Sequence, residues 1–168
     1  MNNKTIKVSG ILYDSVVDGI GFRDVCFIQG CWFNCKGCQN QQTHNPNIGI
    51  EYDIYDLAKI LGESRNPITI SGGDGLTYQI EATFNLVKTL KIKYNKNIWI
   101  YTGFKFEELL NNSNKLRTEI LKYIDVLVDG KFDESKKDRR CAFKGSTNQR
   151  VINVKESLKQ NKVVLYTN

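Results

Sequence analysis

Proline is scarce in this chain and histidine nearly absent: two prolines and one histidine in 168 residues. So few prolines argue against a Pro-rich linker or a long disordered tract. A lone histidine, His44, gives little support to a Ser–His–Asp triad or similar hydrolytic chemistry. No G-x4-GK[ST] phosphate loop occurs, and there is no internal repeat or low-complexity segment. No apolar run approaches the roughly 18 residues that a membrane helix requires. Met1–Ser9 is polar, so no secretory leader is expected and a cytoplasmic location is the default. Thiols stay reduced there, so the five cysteines read as ligands or core residues rather than disulfides.

The formal net charge is +6. Its cations are dispersed: Lys88, Lys91, Lys93 and Lys96 lie along one segment, and Lys136, Lys137, Arg139 and Arg140 along another. Acidic residues are interleaved and no aromatic ladder accompanies them, so they read as solvated surface and no nucleic-acid partner is expected. The length suits one domain spanning residues 1–168.

Strands and helices alternate along this chain. Lys4–Tyr13 reads as a strand or hairpin, and Asp24–Gln29 as a short apolar strand. Helices are expected at Asp53–Leu61, at Tyr78–Tyr94 with Thr77 as N-cap, and, shorter, near Phe106–Asn111 and Lys115–Tyr123. The Tyr78–Tyr94 helix should bury Ile80, Phe84, Val87, Leu90 and Tyr94. Further strands fall at Pro67–Ile70, Asn97–Tyr101 and Ile124–Val128. Nearly continuous apolar runs suit strands covered on both faces. The expected fold is therefore α/β: a partial, open β/α barrel of about five parallel strands, with a short N-terminal strand or hairpin. Four strand ends carry polar or glycine-rich elements: a cysteine loop, SGGD, YTG and VDGK. In parallel α/β folds such ends share one rim, where sites gather.

The cysteine loop, GCWFNCKGCQN, holds Cys31, Cys35 and Cys38. They could be small core hydrophobes, though three in one Gly- and Asn-containing loop is a poor fit. With His44 they could form a Cys3His zinc set, though the C-x3-C opening is wider than common zinc knuckles. They could also hold an iron–sulfur cubane, which takes four thiolates, one per iron. Three thiolates would leave one iron open to a small chelating molecule.

CWFNCKGC resembles the C-x3-C-x2-C signature of the radical S-adenosylmethionine superfamily, and SGGDG resembles its GGE/GGD element. GCWFNCKGCQNQQTHNP, ITISGGDGL, IWIYTGFKFEEL, IDVLVDGKF and FKGSTNQRVINV follow in order across residues 30–154. Together they resemble the activating proteins of anaerobic ribonucleoside-triphosphate reductases. The resemblance implies a [4Fe–4S] cluster on Cys31, Cys35 and Cys38, with S-adenosylmethionine chelating the open iron. It implies reductive cleavage to a 5′-deoxyadenosyl radical, which takes hydrogen from a glycine Cα of the reductase's glycyl-radical subunit. A low-potential donor such as flavodoxin or ferredoxin would supply the electron.

By position, Gly37, Cys38 and Gln39 would run beside the adenine and ribose, and Gly72, Gly73 and Asp74 would meet the methionine end. Asp129 and Lys131 resemble positions that hold a cation or the cofactor carboxylate in pyruvate formate-lyase activases; a turn with a surface salt bridge is the plainer reading. Gly75 stands where relatives often have proline, and Gly37 where some have an aromatic residue. Cys26 reads as core, Cys141 has no assignment, and Trp32 and Phe33 suit either a core or a docking face. Lys144–Arg150 matches a family element that could touch the partner or close the sheet. Two other functions remain open: an activase of another glycyl-radical enzyme such as pyruvate formate-lyase, and a non-catalytic zinc or iron–sulfur module.

Overall fold

Seven strands form one sheet in a computed structural model that describes residues 4–167. They are β1 (Thr5–Ser15), β2 (Arg23–Ile28), β3 (Ile50–Asp53), β4 (Ile68–Gly72), β5 (Ile98–Tyr101), β6 (Val126–Asp129) and β7 (Arg150–Asn153). The spatial order is β3-β1-β2-β4-β5-β6-β7. β2, β4, β5 and β6 pair in parallel. β1 runs antiparallel to both β2 and β3, and β7 antiparallel to β6. The parallel core is thus four strands rather than about five, and the sheet is open, with β3 and β7 as its edges.

The reason lies after β6. A parallel return needs a crossover, usually a helix. The chain instead makes a single 3-10 turn at Glu134–Lys136 and a long loop, so β7 returns antiparallel.

Five helices complete the fold: α1 (Ile54–Glu63), α2 (Ile80–Tyr94), α3 (Phe106–Leu110), α4 (Lys115–Glu119) and α5 (Val154–Gln160). Asp53 caps α1, its carboxylate accepting from the N–H groups of Tyr55 and Asp56 at 2.8 and 3.2 Å. α2 departs from expectation at its start and in its face. Its N-cap is Gln79, not Thr77; Thr77 instead donates its hydroxyl to the Asp74 carbonyl, closing the preceding turn. α2 buries Ala82, Thr83, Leu86, Val87 and Leu90, while Ile80, Phe84 and Tyr94 are only partly covered. Small side chains at Ala82 and Thr83 let α2 approach closely, and the bulky ones flank the contact. Asn95 ends α2 in the left-handed conformation, φ 50°.

The buried side chains of α1, α2, α3 and α5 join one core with the sheet. Each fully buried Leu or Ile there contributes about 1.5–3 kcal/mol relative to exposure. A smaller cluster, Trp99, Val126 and Val128, forms separately with Tyr101, Phe143, Val151 and Tyr166 packed against it. No helix among the described residues is long and apolar enough to cross a membrane.

Candidate cofactor site at the strand ends

The cysteine loop begins where β2 ends, and backbone hydrogen bonds shape it at once. Gly30 N–H donates to the Thr43 carbonyl at 2.6 Å and Cys31 N–H to that of His44 at 3.0 Å. Gln29, buried beneath the loop, donates its amide to the carbonyls of Gln42 and Asn45. Cys38 N–H returns to the Cys35 carbonyl, and Asn40 N–H donates to Cys38 Sγ at 3.4 Å. Backbone hydrogen bonds and the Gln29 amide therefore hold the loop's base, and its three cysteines form no disulfide.

The SGGDG turn leaves β4 against this loop. Gly73 N–H donates to the Ile28 carbonyl at 2.8 Å and Asp74 N–H to the Gly30 carbonyl at 2.9 Å. A Cβ on Gly73 would lie 2.4 Å from the Gly30 carbonyl oxygen. Gly72 has φ +91°, and a Cβ there would lie 2.8 Å from the Phe27 Cα. The two glycines thus pack the β4 exit directly onto the β2 exit. Gly75 lies against Thr83, whose hydroxyl oxygen would be 2.7 Å from an added Cβ.

Asp74 is 2% exposed. One carboxylate oxygen accepts from Thr102 Oγ1 and Gly103 N–H, each at 2.8 Å. The other accepts from Leu76 N–H at 2.9 Å. Burial pushes its pKa up to about 6 despite these donors. Its carboxylate ties the exits of β4 and β5 together.

These exits wall a cleft of about 540 Å³. Cys31, Cys35, Cys38, Gln39, Gly72, Gly73, Asp74 and Lys131 line it, as do His44 and Cys141. Gly37 and Asp129 do not. Gly37 turns outward at φ +71°, against the Glu134 side chain. Asp129, 1% exposed, accepts from Phe106 N–H at 2.8 Å and from Arg150 Nε at 3.0 Å. Arg150 also grips Glu107. Asp129 is therefore a buried clamp between β6, β7 and the start of α3, rather than a surface salt bridge. Arg150 stands opposite Asp129 in the β6–β7 register.

The Lys144–Arg150 element folds back onto the β6 exit. Gln149 donates to the Gly130 carbonyl and accepts from the N–H groups of Gly145 and Ser146. That fold-back carries Cys141 to the cleft wall, which no local pattern foretells. Cys26 is buried in β2, and burial pushes its thiol up to about 12, so it is an inert core residue.

The donor set, three thiols on one cleft wall, fits a cubane with one iron left open. All five cysteines are free thiols. Among the described residues, no three or more His, Cys, Asp or Glu side chains gather closely enough to hold one metal ion. His44 Nδ1 meets Asn34 Oδ1 at 3.1 Å. Burial pushes the Cys31 thiol up to about 11, and burial together with neighbouring Cys38 raises Cys35. Metal binding at these positions therefore releases protons.

The family model for a 4Fe-4S single cluster domain matches residues 17–152. That span holds the cysteine loop, the SGGDG turn and every strand exit on the cleft. Relatives of nearly full length carry one shared name, anaerobic ribonucleoside-triphosphate reductase-activating protein. The Haemophilus influenzae protein is 35% identical over 80% of this chain and 89% of its own. The Enterobacteria phage T4 protein is 37% identical over 80% and 86%, and that of Escherichia coli K12 34% over 80% and 90%. The chain belongs to this family of activating proteins. The crystal structure of QueE from Escherichia coli aligns over 60% of this chain and 53% of its own, with TM-score 0.49 and 14% identity.

Proposed function

We propose that this protein activates an anaerobic ribonucleoside-triphosphate reductase by placing a glycyl radical on it. The observation that carries the reading is the set of three free thiols on one cleft wall, in a chain of the activating-protein family. When bound, a [4Fe–4S] cluster supplies one electron that splits S-adenosylmethionine into methionine and a 5′-deoxyadenosyl radical, which takes a glycine hydrogen atom.

The chain's own residues hold, orient and shield. Cys31, Cys35 and Cys38 ligate three irons. The backbone of Gly72–Asp74, fastened to the cluster loop, borders the position for the methionine end of the cofactor. Gln39 borders the adenosine side, and Lys131 offers a cation to a carboxylate. Asp129 and Gly37 act at one remove, by shaping the β6 exit and the loop. One domain is enough for this task. Because the family is a single-cluster one, the electron comes from outside, from a low-potential donor such as flavodoxin or ferredoxin. Reduced thiols and an exposed cluster suit a cytoplasmic, anaerobic setting.

The test is anaerobic reconstitution with iron and sulfide, then reduction with S-adenosylmethionine and the reductase. A broad absorption near about 400 nm and a glycyl-radical signal by electron paramagnetic resonance are expected. A colourless protein that holds one zinc overturns the enzyme reading. A radical on pyruvate formate-lyase but none on the reductase overturns the choice of partner.

A further inference from the structure

We propose that Arg117 is a positioning residue for the cluster loop, acting through Trp32 and Phe33, the two side chains that follow Cys31. This deepens the cofactor reading above and rests on it. The guanidinium lies over two rings that meet edge to face, 5.1 Å from the centroid of Trp32 and 4.9 Å from that of Phe104. Its Nε donates to the Leu76 carbonyl at 2.7 Å, and one terminal nitrogen reaches Asn112. One α4 side chain thereby touches the cluster loop, the turn after β4 and the segment after β5.

Phe33 completes the junction. Its ring meets Phe104 edge-on at 5.1 Å. It presses onto Gly103, where an added Cβ would lie 2.5 Å from a ring carbon. Lys131 Nζ lies 5.0 Å from its centroid on the other side, which brings in the β6 exit. All four parallel strand exits therefore converge on two adjacent aromatic residues within the Cys31–Cys38 loop.

Apart from its two aromatic side chains, the outward arm is tied only at exposed side chains, Asn34 to His44 at 3.1 Å and Lys36 to Glu134 at 3.3 Å. Backbone hydrogen bonds anchor the loop's ends, at Gly30, Cys31 and Cys38. Between them Trp32 is 45% exposed, so its position depends on the flanking cation and on ring contacts with Phe104 and Tyr78. Arginine suits this role because its delocalised cation lies near both rings, whose planes are 78° apart, while its Nε still donates. Holding the arm fixes the separation of Cys31 from Cys35 before any cluster arrives.

The experiment compares wild-type, Arg117→Met, Arg117→Lys and Asn66→Ala proteins. Asn66→Ala perturbs a buried polar network at the opposite end of the sheet and serves as a destabilised control. The first readout uses cluster-free protein: acrylamide quenching of tryptophan fluorescence. Trp99 is 1% exposed, so quenching reports Trp32. The second is the rate of iron release to a chelator after anaerobic cluster assembly.

Arg117→Met should raise the quenching and speed iron release about tenfold, the scale of a lost cation–π stack with its hydrogen bond. Arg117→Lys should fall between the two, and Asn66→Ala should match wild type in quenching. Wild-type values for Arg117→Met in both readouts overturn the proposal, as does an equal effect of Asn66→Ala on both. If the wild type assembles no cluster, the cofactor reading fails, while quenching still decides whether Arg117 holds the loop.

Discussion

At the scale of single residues, the glycines of SGGDG and the cysteines answer to different demands. Gly73 is glycine because backbone passes where a side chain would stand, 2.4 Å from the Gly30 carbonyl oxygen. Gly73→Ala must push the cluster loop away from β4. The expected cost is about 2 kcal/mol, in the range for forced overpacking, read as a fall in the urea midpoint with an unchanged slope. Cys35 is half-buried on the cleft wall. Cys35→Ala should leave the thermal midpoint of the cluster-free protein within a few degrees, about the shift for under 1 kcal/mol. It should abolish cluster assembly and S-adenosylmethionine cleavage; retained cleavage would refute the ligand set.

At the scale of elements, the ends of the sheet matter most. The α3–β7 junction rests on Arg150, shared between Asp129 and Glu107. Hydrogen bonding to Arg150 pulls the Glu107 pKa from 4.5 down to about 2. With the folded value below the unfolded one, the pair's contribution is complete above pH 4.5 and fades as pH falls toward 2. Glu107 is about half exposed, so solvent screening limits the pair to under about 1 kcal/mol. Glu107→Gln should lower the thermal midpoint at pH 7, and the gap from wild type should close on acidification through that window. A gap that stays constant down to pH 2 would contradict the assignment.

The central strands and the two longest helices were legible in sequence because long apolar runs and 3.6-residue spacing are local signals. β3 and β7 were not: each is four residues long and half-exposed at a sheet edge. Their pairing comes from the neighbouring strand, not from their own composition. α5, seven residues long with only Val154 and Ser157 buried, is too short to show an apolar periodicity. The clamp between Asp129 and Arg150 joins residues 21 apart in the chain, beyond any spacing rule.

At the scale of the whole molecule, the helices build one core with the sheet and the strand exits open onto the cleft. Four parallel strands in an open sheet cannot enclose a cofactor. The partner must finish the enclosure if a radical is to be kept from water. Saturating reductase should therefore slow iron release from the assembled cluster to an external chelator. Unchanged release in a complex verified by gel filtration would show that the partner binds elsewhere.

The sequence alone determined the C-x3-C-x2-C loop, the GGD turn one strand later, and with them the family and its cluster. Those signals are covalent spacings, and spacing survives folding unchanged. Tertiary structure decided the partners of the polar groups: Asp74 and Asp129 accept from protein donors, while Cys141 and Lys131 reach the cleft. It also decided what holds the cluster loop, since Arg117, Phe104 and Gly103 meet Trp32 and Phe33 only when four strand ends share one rim. Contacts between residues so far apart depend on the packing of the whole sheet, which no local stretch encodes.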